Sequence, residues 1–196
     1  MTGDAHLALG ERLVGQERRL HLLCAHLSSR AVRARVELDD LVQEVFVRAL
    51  AKPDAVPPFE PGEAALWRFL SVLARHTVID VARALRAKRR GGTEEPLLRS
   101  DWSRAPAAAG PGPHTAAATG EGSRALARSF LALPSEHRRV LGLRQFEGLS
   151  AEEAGARMGR SAAAVHSLYR RALQAWQAAL EENPGLRDES PPGRRP

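Results

Sequence analysis

The stretch Leu149-Ser150-Ala151-Glu152-Glu153-Ala154-Gly155-Ala156-Arg157-Met158-Gly159-Arg160-Ser161-Ala162-Ala163-Ala164-Val165-His166-Ser167-Leu168-Tyr169-Arg170-Arg171 decides the fold. Ser150 followed by Glu153 has the spacing of a capping box, in which each residue satisfies an orphan backbone donor of the other. A short helix is predicted to run from there to Met158. Gly159 ends it, Arg160-Ser161 makes the turn, and Ser161 caps the next helix. The inner face of that helix is Val165, Leu168, Ala172 and Trp176. Two helices joined by a short Gly-containing turn form the unit that sets its second helix into the major groove of DNA. The plainer reading is a helical hairpin with no ligand. The cap, the turn and the basic outer face together favour a helix-turn-helix.

The outward face of the second helix offers Ser161, Ala162, Ala163, His166, Ser167, Arg170 and Arg171. Ser161 and the helix N-terminus can hold a phosphate. Arg170 and Arg171 suit backbone phosphates, and His166 is the best candidate for a base contact. Ala162 and Ala163 can only touch thymine methyls or allow close approach.

Upstream, Leu133-Pro134-Ser135 starts a helix with Pro134 near its first position. It carries Val140, Leu141, Leu143 and Phe146 and stops at Gly148. Before it, 23 of the 33 residues from Gly91 to Ser123 are Gly, Pro, Ala, Ser or Thr, with Pro96, Pro106, Pro111 and Pro113 among them. That composition predicts a flexible linker over 91–123. It separates a helical block at 7–90 from the block at 124–182. The segment 183–196, with four prolines, is predicted to be a disordered tail.

The N-terminal block divides into about three helices. One spans roughly Leu9 to Leu27. The second begins near Asp39, carries Leu41, Val42, Val45, Phe46 and Ala49, and ends before Pro53; Asp39 or Asp40 can cap its first turn. The third is long, from about Glu63 to Arg90, with Leu66, Phe69, Leu70, Leu73, Val78, Val81, Ala82 and Leu85 as its apolar stripe. The whole chain is 43% hydrophobic but only 5% aromatic, with Ala and Leu dominant, which suits helices better than strands. An all-α protein follows, two small helical domains with the helix-turn-helix in the second.

Charge is concentrated. Glu37, Asp39, Asp40 and Glu44 open the second helix with no Lys or Arg between them. From Arg68 to Arg90, seven cations face one acid, Asp80, a net of +6 that equals the formal charge of the chain. A basic helix end can merely suit the helix dipole. So many cations also make a phosphate-binding footprint.

Taken together, the two blocks resemble the bacterial sigma factors of RNA polymerase, in the sigma-70 family's extracytoplasmic-function (ECF) group. Asp39-Asp40-Leu41-Val42-Gln43-Glu44-Val45-Phe46 is similar to the family's D-L-x-Q-E-x-F segment. Trp67-Arg68-Phe69-Leu70 through Ile79-Asp80 is similar to W-L-x-x-I-A-x-N-x-x-x-D. Leu133-Pro134 through Glu153, then Ser161 through Ala172, resemble the family's last two segments. The resemblance implies a factor that binds core RNA polymerase, through its β′ and β subunits, and directs promoter recognition, melting and initiation. It implies polymerase contacts at Asp39, Asp40, Gln43 and Glu44. It implies contacts to the −10 element at Trp67, Arg75, His76, Asp80, Arg83, Arg86, Lys88 and Arg89. Ser161, Ala162, Ala163, His166, Ser167, Arg170 and Arg171 would read the −35 element. An anti-sigma factor is an optional further partner. Trp67 and Phe69 could stack on unpaired bases, although both lie on or beside the apolar stripe. The chain departs from the pattern at His76, where Asn is common, and at Ala154 and Gly155, where larger or helix-favouring residues are usual. Gly155 alone should weaken its helix by about 1 kcal/mol.

Rival readings find less in the residues. There is no Gly-rich phosphate loop and no pairing of acids for catalysis, so no enzyme, catalytic residue or cofactor is expected. His21, Cys24 and His26 offer three zinc ligands without the usual fourth, and His26 sits off the helical face shared by the other two. No metal is expected. A stand-alone helix-turn-helix regulator with an N-terminal sensing or dimerisation domain remains the alternative function. A pure interaction module is the third. Met1 to Gly10 lacks a secretory pattern and no apolar run reaches membrane length. A cytoplasmic protein without membrane contact is expected.

Overall fold

The computed structural model describes residues 9–89 and 113–182. The expectations for 91–112 and for the tail 183–196 lie outside the described residues. All regular structure among the described residues is helical. The chain divides into two compact units, Met1–Ala116 and Ala117–Pro196.

In the first unit a helical segment at 9–14 leads into α1 (Glu17–Leu27), then α2 (Arg30–Arg33), α3 (Leu38–Leu50) and α4 (Ala64–Arg89). The single helix expected from Leu9 to Leu27 is broken at Gly15 and Gln16. There the ladder tightens, with Gln16 N–H donating to the Leu13 carbonyl at 2.9 Å. α3 starts one residue before Asp39, with Glu37 at its N-cap and no side chain capping it. Asp39 and Asp40 therefore act through the helix dipole rather than as caps. α1, α3 and α4 pack on one another in pairs. Their shared core includes Leu20 and Leu23, Leu41 and Val45, Leu66, Leu70 and Val81, each at most 1% exposed. Cys24 is fully buried there, and burial pushes its thiol up to about 12.

The loop before α4 turns through two consecutive residues of positive φ, Gly62 (81°) and Glu63 (51°). The second is a strained position for a non-glycine. Arg12 holds it there by a bidentate clasp, Nε to Glu63 Oε1 at 2.6 Å and Nη2 to Oε2 at 2.8 Å, and also reaches the Pro57 carbonyl at 2.9 Å. Hydrogen bonding from Arg12 holds the Glu63 carboxyl below the ordinary value of 4.5. The clasp is thus fully present above that value and is lost as pH falls through the lower, folded one. Acid titration of the first unit by circular dichroism should show this loss. Glu63→Gln should remove it from the profile at a cost of about 1 kcal/mol near neutrality.

The second unit contains all but the first four residues of α5 (Pro113–Ala132), then α6 (Ser135–Leu141), a π-helical turn over Gly142–Phe146, α7 (Ala151–Met158) and α8 (Ala162–Glu181). α5 begins at Pro113, inside the segment 91–123 that its composition marks as linker. Ala counts there beside Gly and Pro as a small residue, yet it is the best helix former. Pro113 at a helix start loses nothing by its missing N–H. Pro134 is the N-cap of α6 rather than its first residue. Gly148, at φ 70°, turns the chain out of the π-turn. α8 packs against both α6 and α7. Phe130 of α5 is wholly buried and meets Phe146 and Trp176 edge-on, centroids 5.7 and 5.6 Å away. Trp176 Nε1 donates to Ser129 Oγ at 3.0 Å, which satisfies its polar atom.

Candidate nucleic-acid interface

The helix-turn-helix is built as its residues dictate. Ser150 N–H donates to Glu153 Oε2 at 2.7 Å and Glu153 N–H donates to Ser150 Oγ at 3.1 Å, so the capping box is complete. Gly159 ends α7 in the left-handed conformation, φ 66°. Its N–H and that of Arg160 both close on the Gly155 carbonyl. Ser161 caps α8, its Oγ accepting from Ala164 N–H at 3.3 Å. Gly155 has a second role. A Cβ built on it would lie 2.5 Å from the Arg160 carbonyl oxygen, so the turn folds back onto α7 only because that side chain is absent. The expected weakness at Gly155 is therefore a packing requirement.

On α8, Val165, Leu168 and Ala172 face inward, while Trp176 is half-buried. Ser161, Ala163, His166, Ser167, Arg170 and Arg171 are exposed and Ala162 is half-buried. These residues share one face, its N-terminal end lined by methyl groups. Around the turn, Arg157 pairs with Glu147 at 2.9 Å and Arg160 with Glu136. Arg139 adds a bond to the Arg157 carbonyl at 2.5 Å. These bonds tie the turn to the helices before it.

In the first unit, α4 presents Arg68, Arg75, His76, Arg83 and Arg86 to solvent. The side chains of Lys88 and Arg89 lie outside the described residues. Trp67 does not join that face. It is 8% exposed, and the Arg19 guanidinium covers its ring 4.0 Å from the centroid. Burial of Arg19 against the ring lowers its guanidinium below the ordinary value. The exposed apolar side chains on α4 are instead Val72 (54%) and Ile79 (40%), seven residues apart and so on one side of the helix. Phe69 is half-buried on the stripe.

The acidic segment also separates under burial. Gln43 is exposed, and Asp39 and Asp40 are half-buried. The Glu44 side chain is 1% exposed, and its Oε1 accepts from Arg48 Nε at 2.9 Å. Burial removes Glu44 from any outward docking face, although it lies one helical turn after the half-buried Asp40 on the same side of α3. Arg48 also donates through Nη1 to Asp80 Oδ2 at 2.9 Å, so a single guanidinium bridges α3 and α4. Its charged form is stabilised by Glu44 and then Asp80, against the desolvation that burial imposes. Asp80 is exposed but engaged. Sequence reasoning passes over Arg48, although its spacing four residues after Glu44 is that of a helical ion pair. It also passes over His21 except as a metal ligand. His21 is 3% exposed and committed to Glu17 and Asp39, and Cys24 is in the core. Among the described residues no cluster of three metal-ligating side chains occurs. Nor is any described helix long and apolar enough to cross a membrane.

The chain thus combines a basic, partly apolar helix face in one helical unit with a capped helix-turn-helix in the other. The family described as ECF sigma factor matches residues 16–182. The chain belongs to the ECF sigma factor family. It is 33% identical over 142 residues to the ECF RNA polymerase sigma factor SigD of Mycobacterium tuberculosis, covering 72% of this chain and 62% of that protein. The chain thus spans about three fifths of the SigD length. It is 33% identical over 194 residues to the ECF RNA polymerase sigma factor ShbA of Streptomyces griseus, covering 89% of this chain and 95% of ShbA. Among solved structures, the sigma factor RpoE in complex with the anti-sigma factor NepR from Bartonella quintana is similar at 23% identity and a TM-score of 0.36, covering 88% of this chain and 96% of that one.

Proposed function

We propose that this chain binds core RNA polymerase and directs it to promoters, acting in the cytoplasm and without catalysis of its own. The observation that carries the reading is the exposed basic face of α4 in the same chain as an α8 whose outward face holds Ser161, Ala163, His166, Ser167, Arg170 and Arg171. Asp39, Asp40 and Gln43 on α3 form the docking face for polymerase, where half-buried acids suit a basic partner surface. Arg75, His76, Arg83 and Arg86 hold the −10 strand by its phosphates. Val72 and Ile79 supply the apolar contact to unstacked bases that Trp67, under Arg19, does not. α8 holds the −35 element chiefly through phosphates at Arg170 and Arg171. Its Ala162 and Ala163 end reads little beyond thymine methyls.

Run-off transcription with purified core polymerase and the full chain tests the reading. A discrete set of promoter-dependent products is expected. Tight, sequence-selective binding to duplex DNA with no such product would instead support the stand-alone regulator. Arg170→Ala with Arg171→Ala should weaken binding to a −35 duplex about equally across sequences. It should also lower the salt slope by about 2, since each arginine neutralises one phosphate. An unchanged slope would show that neither arginine meets a phosphate.

A further inference from the structure

His21 sits on α1, 18 residues before Asp39, and both of its ring nitrogens face acceptors. Nδ1 lies 3.1 Å from the Glu17 carbonyl oxygen, and Nε2 lies 2.9 Å from Asp39 Oδ1. The Asp39 carboxylate oxygen offers only lone pairs to Nε2. A bare Nε2 and a carboxylate would then point lone pairs at each other across 2.9 Å. One proton must lie in that contact. The His21 side chain is 4% exposed and that of Asp39 is 26% exposed. The buried ring therefore grips from below a carboxylate whose other side reaches the surface.

We propose that His21, held between the Glu17 carbonyl and the Asp39 carboxylate, is a positioning residue for polymerase docking. It fixes the Asp39 carboxylate in the orientation that α3 presents to its partner. This rests on the docking role assigned to α3 above. An aspartate in the first turn of a helix has several rotamers open to it, and a fixed one loses less freedom on binding. The clamp also joins α1 to the first turn of α3, so the docking face is set by tertiary packing as well as by its own helix.

The test uses the full chain and core RNA polymerase, with affinity measured for the parent, His21→Leu, His21→Gln, Asp39→Ala and the His21→Leu/Asp39→Ala double variant. His21→Leu should weaken binding by about tenfold, as expected for removing a hydrogen bond to a charged group. His21→Gln, which keeps a donor near Asp39, should recover most of it. Once Asp39 is Ala, adding His21→Leu should change nothing further. Equal losses in the presence and absence of Asp39 would mean a general structural role and would overturn the proposal. Nitrogen-15 NMR of the histidine ring gives a readout independent of polymerase. Nε2 should carry hydrogen, and a lone-pair signal at Nε2 would overturn the clamp. A parent that fails to bind polymerase while carrying hydrogen on Nε2 would sink the docking reading, and the positioning role with it, and leave the His21–Asp39 hydrogen bond standing.

Discussion

Phe130→Ala is expected to destabilise the second unit by about 4 kcal/mol, within the range for deleting a buried aromatic ring. Phe130 has no exposed surface, and its ring is the shared neighbour of Phe146 and Trp176. The substitution removes the transfer free energy of the ring and two edge-on pairings, each worth about 0.5–1.5 kcal/mol beyond area. It also leaves a cavity between α5, the π-turn and α8, three elements that cannot all close on it. Small domains have only about 5–15 kcal/mol of stability in total. Amide hydrogen exchange in α8 should therefore accelerate by orders of magnitude, while α4 in the first unit should keep its protection. Uniform acceleration in both units would mean that they unfold as one.

Gly155 gives the second large effect, and there helix propensity predicts the wrong sign. An exposed Gly in a helix is improved by Ala by about 1 kcal/mol. Here the added methyl would stand 2.5 Å from the Arg160 carbonyl oxygen. Main chain cannot swing aside as a side chain can. That same turn carries the Arg160 N–H to Gly155 carbonyl bond at 3.0 Å. Gly155→Ala should therefore destabilise, and Gly155→Val should cost about 3 kcal/mol or more, the upper end of overpacking. Thermal melts of the two variants decide it. A higher melting temperature for Gly155→Ala would show that the turn relaxes freely. Weaker DNA binding should accompany the lower stability of Gly155→Val, because the turn sets α8 against α7.

The helix-turn-helix was legible because its signals are local. Ser150, Glu153, Gly159 and Ser161 each act within four residues, and each takes the role that its spacing implies. The long α4 was legible for a related reason, since its apolar stripe repeats over many turns. What the sequence hid depends on distant partners. Trp67 is covered by Arg19, which comes from another helix 48 positions earlier. Glu44 reads as one acid among four, and only the packing of α3 shows that it is buried against Arg48. The start of α5 was hidden differently, because Ala counts equally as a small linker residue and as the strongest helix former. Gly15 was a local signal for the break before α1 that periodicity alone passed over.

The Arg48 bridge bears on how this factor could be recombined with its relatives. The loop between α3 and α4, residues 51–63, is the natural seam for exchanging one family member's basic helix for another's. A cut there would divide Glu44 and Arg48 from Asp80, and the host's guanidinium would meet whatever side chain the incoming helix carries at that position. A chimaera that keeps an acid at position 80 inherits a ready-made joint. One that brings a cation there would set two like charges against each other at the junction. Residue 80 is thus a compatibility mark for the exchange, and position 48 is its counterpart on the other side of the seam.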